Sequence, residues 1–443
     1  MIDISSNYKN KSVVVLGYGV TGKSVVKALE SVNADIYILD DNKIDSPYYG
    51  REIDWSKIDT LVVSPGIHTC WDMHPIVAEA QKFSVPVTND IAMFQRCMDS
   101  SKIIGVTGTN GKSTTTALIQ HVLNQKFSAE LGGNYGVPAL TLSENAQAFV
   151  LEISSYQLET IDMFPASVSI LLNITPDHLT RHGGLAGYIA TKQRIFAFPN
   201  CRDSLAVIGV DDKYCRDVYE YLLREKVYSA IPISGQCVPE SGIGWDGDEM
   251  VDNCEGANVR ICSSHPLLDG AHNRQNIAAA YAACCRSRFG ISKSEFDEAL
   301  RSFKGLEHRQ EFVRDLNGVK YINDSKATNA DAVEQALKRF SNVIWILGGR
   351  PKEGGIKSLE PYFDRIKYAF LIGEAAEEFH HFLNQNYVGN EIVGDLEKAV
   401  QKARNISEAG DIVLLSPACA SFDQFKDFEE RGRQFKEMVL KLC

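Results

Sequence analysis

The 443 residues carry 46 Lys and Arg against 57 Asp and Glu, a formal charge of −11, with 44% hydrophobic and 23% charged residues. At roughly 150 residues per domain this length predicts about three domains, and the composition excludes disorder, collagen-like repeats and a coiled coil as the main architecture. The acidic balance argues against a broad nucleic-acid surface, and no apolar run reaches the roughly 18 residues of a membrane span. Residues 1–10 are polar with no apolar signal core. Eleven scattered cysteines, an odd number without zinc-type spacing, read as reduced thiols of a cytoplasmic protein.

Residues 12–16 predict a strand, 17–22 a glycine turn, and Val25, Val26 and Leu29 the buried face of a helix. Further strands at 36–39 and 61–63 end in Asp40-Asp41 and Ser64-Pro65-Gly66. This alternation predicts a parallel sheet, and a polar Asp99-Ser100-Ser101 linker follows it. The turn matches G-x-G-x-x-G, with Asp40 lying 18 residues beyond Gly22. That pattern suits a dinucleotide or another nucleotide diphosphate.

A second strand, turn and helix follow at 103–106, 107–113 and 113–123. The turn lies within Gly105-Val106-Thr107-Gly108-Thr109-Asn110-Gly111-Lys112-Ser113-Thr114. Backbone N–H groups of such a turn wrap a phosphate chain, and the helix start adds partial positive charge. Lys112 can reach the outer phosphates and Ser113 can ligate Mg²⁺. Five residues rather than four separate Gly105 from Gly111. Glu152 closes the apolar strand 148–151, where a charge is costly unless paired with Arg or bound to a metal. His178, in the loop after strand 167–172, is placed to ligate a metal or orient a carboxylate. Lys192, in the helical stretch 188–196, reads as a solvated lysine. Residues 232–262 read as a β-rich appendage and 278–285 as a helix. Asn273 and Asn276 lie one turn apart, suited to a base edge, a phosphate or a helix cap.

A third unit begins near Leu306, with strands at 343–347, 368–372 and 412–415. Arg309 suits a triphosphate. The polar run Asn323-Asp324-Ser325-Lys326-Ala327-Thr328-Asn329, after strand 319–322, is a site loop or an Asx turn.

Taken in order, TGTNGKST, LEISSYQLE, NITPDHLTRHG, DGAHNRQN, LEHRQE, NDSKATN, LGGRPK and SPACASFDQF resemble the Mur ligase family. The last four are most similar to its D-glutamate-adding branch. The resemblance implies an α/β protein of three domains. They are a Rossmann-like UDP-sugar domain over 1–97, a central P-loop ATPase-like domain over 98–305, and a Rossmann-like amino-acid domain over 306–443. It implies an ATP-dependent ligase joining D-glutamate to UDP-N-acetylmuramoyl-L-alanine through an acyl phosphate, in cytoplasmic peptidoglycan precursor synthesis. The enzyme would be a monomer with no nucleic-acid or membrane partner.

By the same resemblance, Val20, Thr21 and Gly22 would meet the diphosphate and Asp40 and Asp41 the uracil. Ser64, Pro65 and Gly66 would close that pocket, and Asn134 and Gln157 would contact the sugar–peptide part. Gly108, Thr109, Asn110, Gly111, Lys112, Ser113 and Thr114 would cradle ATP, completed by Asn276, Arg309 and Asp324. Two Mg²⁺ are implied, one near Ser113 and Glu152 and one held by His178 and by Lys192 as an N-carbamate. Lys112, Glu152, His178 and Lys192 form the implied catalytic set. Thr328, Lys352, Ser421, Phe422 and Phe428 would bind D-glutamate. The chain departs from the family pattern at Thr180, commonly an acid, at Arg350 after Gly348-Gly349, and at Asn42, where some relatives have a basic residue.

Overall fold

The computed structural model describes residues 1–443 apart from 197–203, 226–228, 255–258, 264, 266–267, 269, 352–353 and 443. The chain divides into two compact units, Met1–Lys304 and Gly305–Cys443.

The first unit holds two sheets. In the smaller one, β1 (Ser12–Leu16), β2 (Asp35–Leu39), β3 (Thr60–Val63) and β4 (Val87–Thr88) run parallel in the order β2-β1-β3-β4. Val13, Val14 and Val15 are all buried, as strands covered on both faces require. The glycine turn leaves the carboxyl end of β1, where the connections diverge to β2 and β3. A Cβ on Gly22 would lie 2.0 Å from the Gly17 carbonyl oxygen, so only glycine lets the helix Val20–Ser31 start so close to the strand.

The larger sheet comprises β5 (Ile103–Thr107), β6 (Ala129–Gly133), β7 (Ala148–Glu152), β8 (Val168–Leu171), β9 (Leu205–Gly209), β10 (Ser229–Ile233), β11 (Ile243–Asp246), β12 (Glu249–Asp252) and β13 (Val259–Ser263). Its order is β13-β12-β11-β10-β9-β8-β5-β7-β6, parallel from β6 to β11 and antiparallel beyond. The β-rich stretch at 232–262 is therefore not a separate appendage. Ile243, Trp245, Met250 and Ile261 share the core of the main sheet, and that burial draws β11, β12 and β13 onto its edge. On the same face, Ala278, Ala279, Ala280, Ala282 and Ala283 let the helix Ala271–Cys285 pack against the helix Lys112–Leu123. On the opposite face the core is continuous with that of the smaller sheet, where Phe94 and Phe149 meet edge to face at 5.1 Å.

In the second unit, β14 (Glu311–Leu316), β15 (Val319–Asn323), β16 (Val343–Gly348), β17 (Ile366–Ile372), β18 (Asn390–Gly394) and β19 (Ile412–Leu415) follow the order β14-β15-β19-β16-β17-β18. All are parallel except β14. Because β19 lies between β15 and β16, the polar segments after these three strands gather at one end of the sheet. Among the described residues no helix is long and apolar enough to cross a membrane, and the described cysteines are free.

Candidate active site

Strand β5 lies between β7 and β8, so its carboxyl end is the switch point at which open α/β sheets place their ligands. There the backbone turns through Gly108 and Gly111, at φ 152° and 84°, into the helix Lys112–Leu123. A Cβ at Gly111 would come within 2.3 Å of Asn276 Oδ1. The loop is clamped from the end of β8. The Thr109 N–H donates to the Asn173 carbonyl at 2.9 Å and the Asn110 N–H to Asn173 Oδ1 at 2.8 Å. Asn173 Nδ2 donates back to the Asn110 carbonyl at 3.1 Å. The Thr109 hydroxyl reaches the Tyr188 hydroxyl at 3.0 Å. Lys112 Nζ donates to the Gly108 and Thr109 carbonyls at 2.9 and 2.7 Å, which holds its charge at the loop. Ser113 is buried and Thr114 half-buried at the helix start. Asn276 backs the loop from behind: its Nδ2 donates to Asn273 and its Oδ1 accepts from the Thr115 hydroxyl.

Glu152 ends β7 beside Val106 of β5 and is 2% exposed. Asn134 Nδ2 donates to its Oε1 at 2.7 Å, whereas Oε2 is buried with no hydrogen-bond partner among the described residues. The alternative of an arginine-paired structural acid is thereby set aside. A buried carboxylate oxygen left open is costly, and it suits a hard cation. Among the described residues no group of three or more His, Cys, Asp and Glu forms a metal cage. A cation at Glu152 would therefore take its other ligands from hydroxyls, water or the oxygens of a bound ligand, as Mg²⁺ commonly does.

Lys192 is not solvated; it is 1% exposed. The helix Leu185–Gln193 turns it against the loop, where Nζ donates to the Gly108 carbonyl at 2.8 Å and lies 4.7 Å from the Tyr188 ring centroid. Burial, with the charge of Lys112 nearby, pushes its pKa down to about 7. His178 sits half-exposed at φ 51°, with Nδ1 3.0 Å from the Tyr156 hydroxyl and Nε2 3.3 Å from Asp177 Oδ2.

At the smaller sheet, Asp40 accepts the Tyr18 N–H at 2.7 Å and the Asn42 N–H at 2.9 Å, which holds its carboxyl below the usual range. The Ser64 hydroxyl donates to the Gly17 carbonyl at 2.8 Å. Val20, Asp41 and Gly66 are exposed, while Thr21 and Pro65 are half-buried. Gln157 is buried, and its amide oxygen accepts the Ser154 N–H and hydroxyl in a capping box for the helix Ser155–Leu158. Its oxygen thus serves the fold.

In the second unit, Asp324 follows β15 and is buried. Its Oδ2 accepts from the Ser416 hydroxyl at 2.7 Å and its Oδ1 from the Gln310 N–H at 3.1 Å. Burial outweighs these bonds and the charge of Arg309, raising its pKa to about 7. The ligand-free folded unit therefore holds a proton that the unfolded chain has released between about pH 4 and about pH 7. Stability falls as pH rises through that window. Asp324→Asn is expected to flatten this slope, read from thermal unfolding of the second unit at about pH 5 and about pH 8.

Phe428 starts the helix Phe428–Lys441, with Lys326 Nζ 4.8 Å from its ring centroid. Thr328 is half-buried, Ser421 buried and Phe422 exposed. Lys352 lies outside the described residues. The Arg350 backbone pairs with Ala420 and its side chain lies 3.4 Å from Glu374. Sequence reasoning missed Arg431, which is fully buried and donates to the carbonyls of Ser325 at 2.8 Å and Cys419 at 3.2 Å. It ties together the segments after β15 and β19. Asn173 opens the loop after strand 167–172, and nothing in its local sequence signals the clamp it places on the phosphate loop.

Residues 106–284 match the Mur ligase middle domain and 308–419 the Mur ligase glutamate ligase domain. The chain is 41% identical to the UDP-N-acetylmuramoylalanine–D-glutamate ligase of Rhodospirillum rubrum, over 98% of this chain and 96% of that one. It is 43% identical to the ligase of the same name from Paramagnetospirillum magneticum, over 97% and 96%. The fold resembles that of the UDP-N-acetylmuramate-alanine ligase MurC of Thermotoga maritima, at a TM-score of 0.59 and 17% identity over 97% of this chain and 99% of that one. It also resembles a MurF ligase of that organism, at 0.56 and 18% over 99% and 97%. At such identities across nearly the whole of both chains, the protein belongs to the Mur ligase family.

Proposed function

We propose that this chain is an ATP-dependent ligase that joins the amine of D-glutamate to the L-alanine carboxylate of UDP-N-acetylmuramoyl-L-alanine. It would act as a cytoplasmic monomer in peptidoglycan precursor synthesis. Its likeness to the D-glutamate ligases of Rhodospirillum rubrum and Paramagnetospirillum magneticum supports the substrates. The observation that carries the chemistry is the open, buried Oε2 of Glu152 on the strand next to the phosphate loop.

A carboxylate and an ammonium do not condense in water without activation. In the proposed reaction the alanine carboxylate oxygen attacks the γ-phosphorus of ATP, and the bond to ADP breaks. The glutamate amine, having lost a proton, then attacks the carbonyl of the acyl phosphate. The C–N bond forms, the nitrogen gives up a second proton, the C–O bond to phosphate breaks, and phosphate leaves with the electron pair. The first step brings two anions together, so positive charge and backbone donors aimed at the phosphates are the main requirement. Residues 108–114 would supply donors and the Lys112 charge, with Asn276 supporting the loop. Arg309 and Asp324 are the proposed ATP contacts of the second unit. Val20, Thr21, Gly22, Asp40, Asp41, Ser64, Pro65, Gly66, Asn134 and Gln157 are assigned to the nucleotide sugar. Thr328, Lys352, Ser421, Phe422 and Phe428 are assigned to D-glutamate.

Two Mg²⁺ are proposed, one held by Ser113 and Glu152 and one by His178 and an N-carbamate of Lys192. When bound, they would neutralise the phosphate charge. Glu152 fits because one of its oxygens is unspent. Lys192 fits because carbamate formation consumes a neutral amine and CO₂ and releases a proton, and this amine is held near neutrality.

The direct test is phosphate release from ATP with Mg²⁺ and UDP-N-acetylmuramoyl-L-alanine, with and without D-glutamate. Release that needs all the substrates, with a product heavier by one glutamate residue, is expected. Release that needs a different amino acid would reassign the acceptor, and release without the nucleotide sugar would contradict the ligase. Asn173→Ala removes two bonds to the phosphate loop. It is expected to raise the KM for ATP about tenfold, with the KM for the nucleotide sugar unchanged, as steady-state kinetics would show.

A further inference from the structure

Arg181 lies three residues beyond His178 and is almost completely buried. Its Nε and Nη2 both donate to the Glu159 carboxylate at 2.8 Å, a bidentate pair. The remaining donors turn to the other sheet of the unit. Nη1 donates to the Gly66 carbonyl at 3.1 Å, and Nη2 donates to the carbonyls of Pro65, at 3.3 Å, and Ile67. One guanidinium therefore holds three consecutive peptides of the loop after β3. Glu159 is fixed in turn by the Thr69 hydroxyl at 2.9 Å and by His182 Nδ1 at 3.3 Å. The Tyr156 ring centroid lies 4.4 Å from the guanidinium, and its hydroxyl meets His178. A second contact fixes the same two loops. Gly183 is at φ 66°, and a Cβ there would lie 2.1 Å from Trp71 Cε2.

The carbonyl and N–H of a trans peptide point in opposite directions. Drawing the Pro65 carbonyl inward therefore turns the Gly66 N–H outward, and Gly66 is exposed. Such an N–H is suited to an oxygen acceptor of the nucleotide sugar. We propose that Arg181 is a positioning residue that fixes the Pro65–Gly66 loop for the nucleotide sugar and locks it in register with the His178 loop. The proposal rests on the assignment of Ser64, Pro65 and Gly66 to that substrate.

The test uses the full chain with Arg181→Lys and, as a milder change, Thr69→Val. The readouts are steady-state kinetics and calorimetric binding of UDP-N-acetylmuramoyl-L-alanine. Lysine keeps the charge but cannot hold the carboxylate and three carbonyls together. Arg181→Lys is expected to raise the KM and Kd for the nucleotide sugar about tenfold, and Thr69→Val about threefold. The KM values for ATP and D-glutamate should stay within about twofold. Equal rises in all three KM values, or a loss of kcat with nucleotide-sugar binding unchanged, would reduce Arg181 to a structural ion pair and overturn the proposal. If Arg181→Lys does not fold, Thr69→Val decides by the same readouts. An unmodified chain that does not bind the nucleotide sugar would instead remove the substrate assignment beneath the proposal.

Discussion

Glu152→Gln is expected to lower kcat by about three orders of magnitude, with thermal stability unchanged or raised. The amide keeps the shape and still accepts the Asn134 hydrogen bond at its oxygen. It loses the charge and replaces the open Oε2 with a donor. In the ligand-free protein that exchange removes an unpaired buried carboxylate oxygen, so the fold does not suffer. In the working enzyme it removes an oxygen ligand, and the Mg²⁺ concentration for half-maximal rate should rise. Kinetics across a Mg²⁺ series, together with thermal unfolding, separate the two effects. A variant that unfolds while its remaining folded fraction turns over normally would make Glu152 a structural acid.

Lys192→Met carries the second large effect, and its two parts have opposite signs. Burial lowers the lysine from 10.5 to about 7 in the folded chain. Between those values the unfolded chain holds a proton that the folded chain lacks, so stability rises with pH across that window. The cost of the buried cation is fully present below about pH 7 and vanishes above about pH 10.5. Methionine removes the cost, so the ligand-free variant should melt several degrees higher at neutral pH. Its activity should nevertheless fall by about three orders of magnitude, because the group that becomes an anionic ligand is gone. In the unmodified enzyme the neutral amine is needed for carbamate. Turnover should therefore fall as pH drops through about 7, and above that point enzyme depleted of CO₂ should regain turnover when bicarbonate is added. Turnover indifferent to bicarbonate, with Lys192→Met as active as the parent, would remove the carbamate.

Both effects bear on what could be read in advance. The phosphate loop was legible because its signal is local: a strand, glycines where the backbone needs positive φ, then Lys-Ser at a helix start. Glu152 was legible as an acid closing an apolar strand. The burial of Lys192 was not, since a lysine on a nine-residue helix looks the same whether that face meets solvent or a loop some 80 residues earlier. Asn173, Arg181 and Arg431 escaped for the same reason. Each is an ordinary polar residue whose role depends on partners far along the chain. Gln157 carried a nearer signal, since Ser154-Ser155-Tyr156-Gln157 is a capping-box sequence. The edge strands at 243–263 looked detached because their Gly and Asp content weakens the strand pattern. Pairing with β10 and burial of Ile243, Trp245, Met250 and Ile261 decide their place.

The most direct test of carboxylate activation at this site follows oxygen. With ¹⁸O in the L-alanine carboxylate of UDP-N-acetylmuramoyl-L-alanine, turnover with ATP and D-glutamate should place one labelled oxygen in each phosphate released, leaving ADP unlabelled. Unlabelled phosphate would mean that water attacked ATP, and label in the nucleotide would mean activation by adenylyl transfer; either result would contradict the acyl-phosphate account.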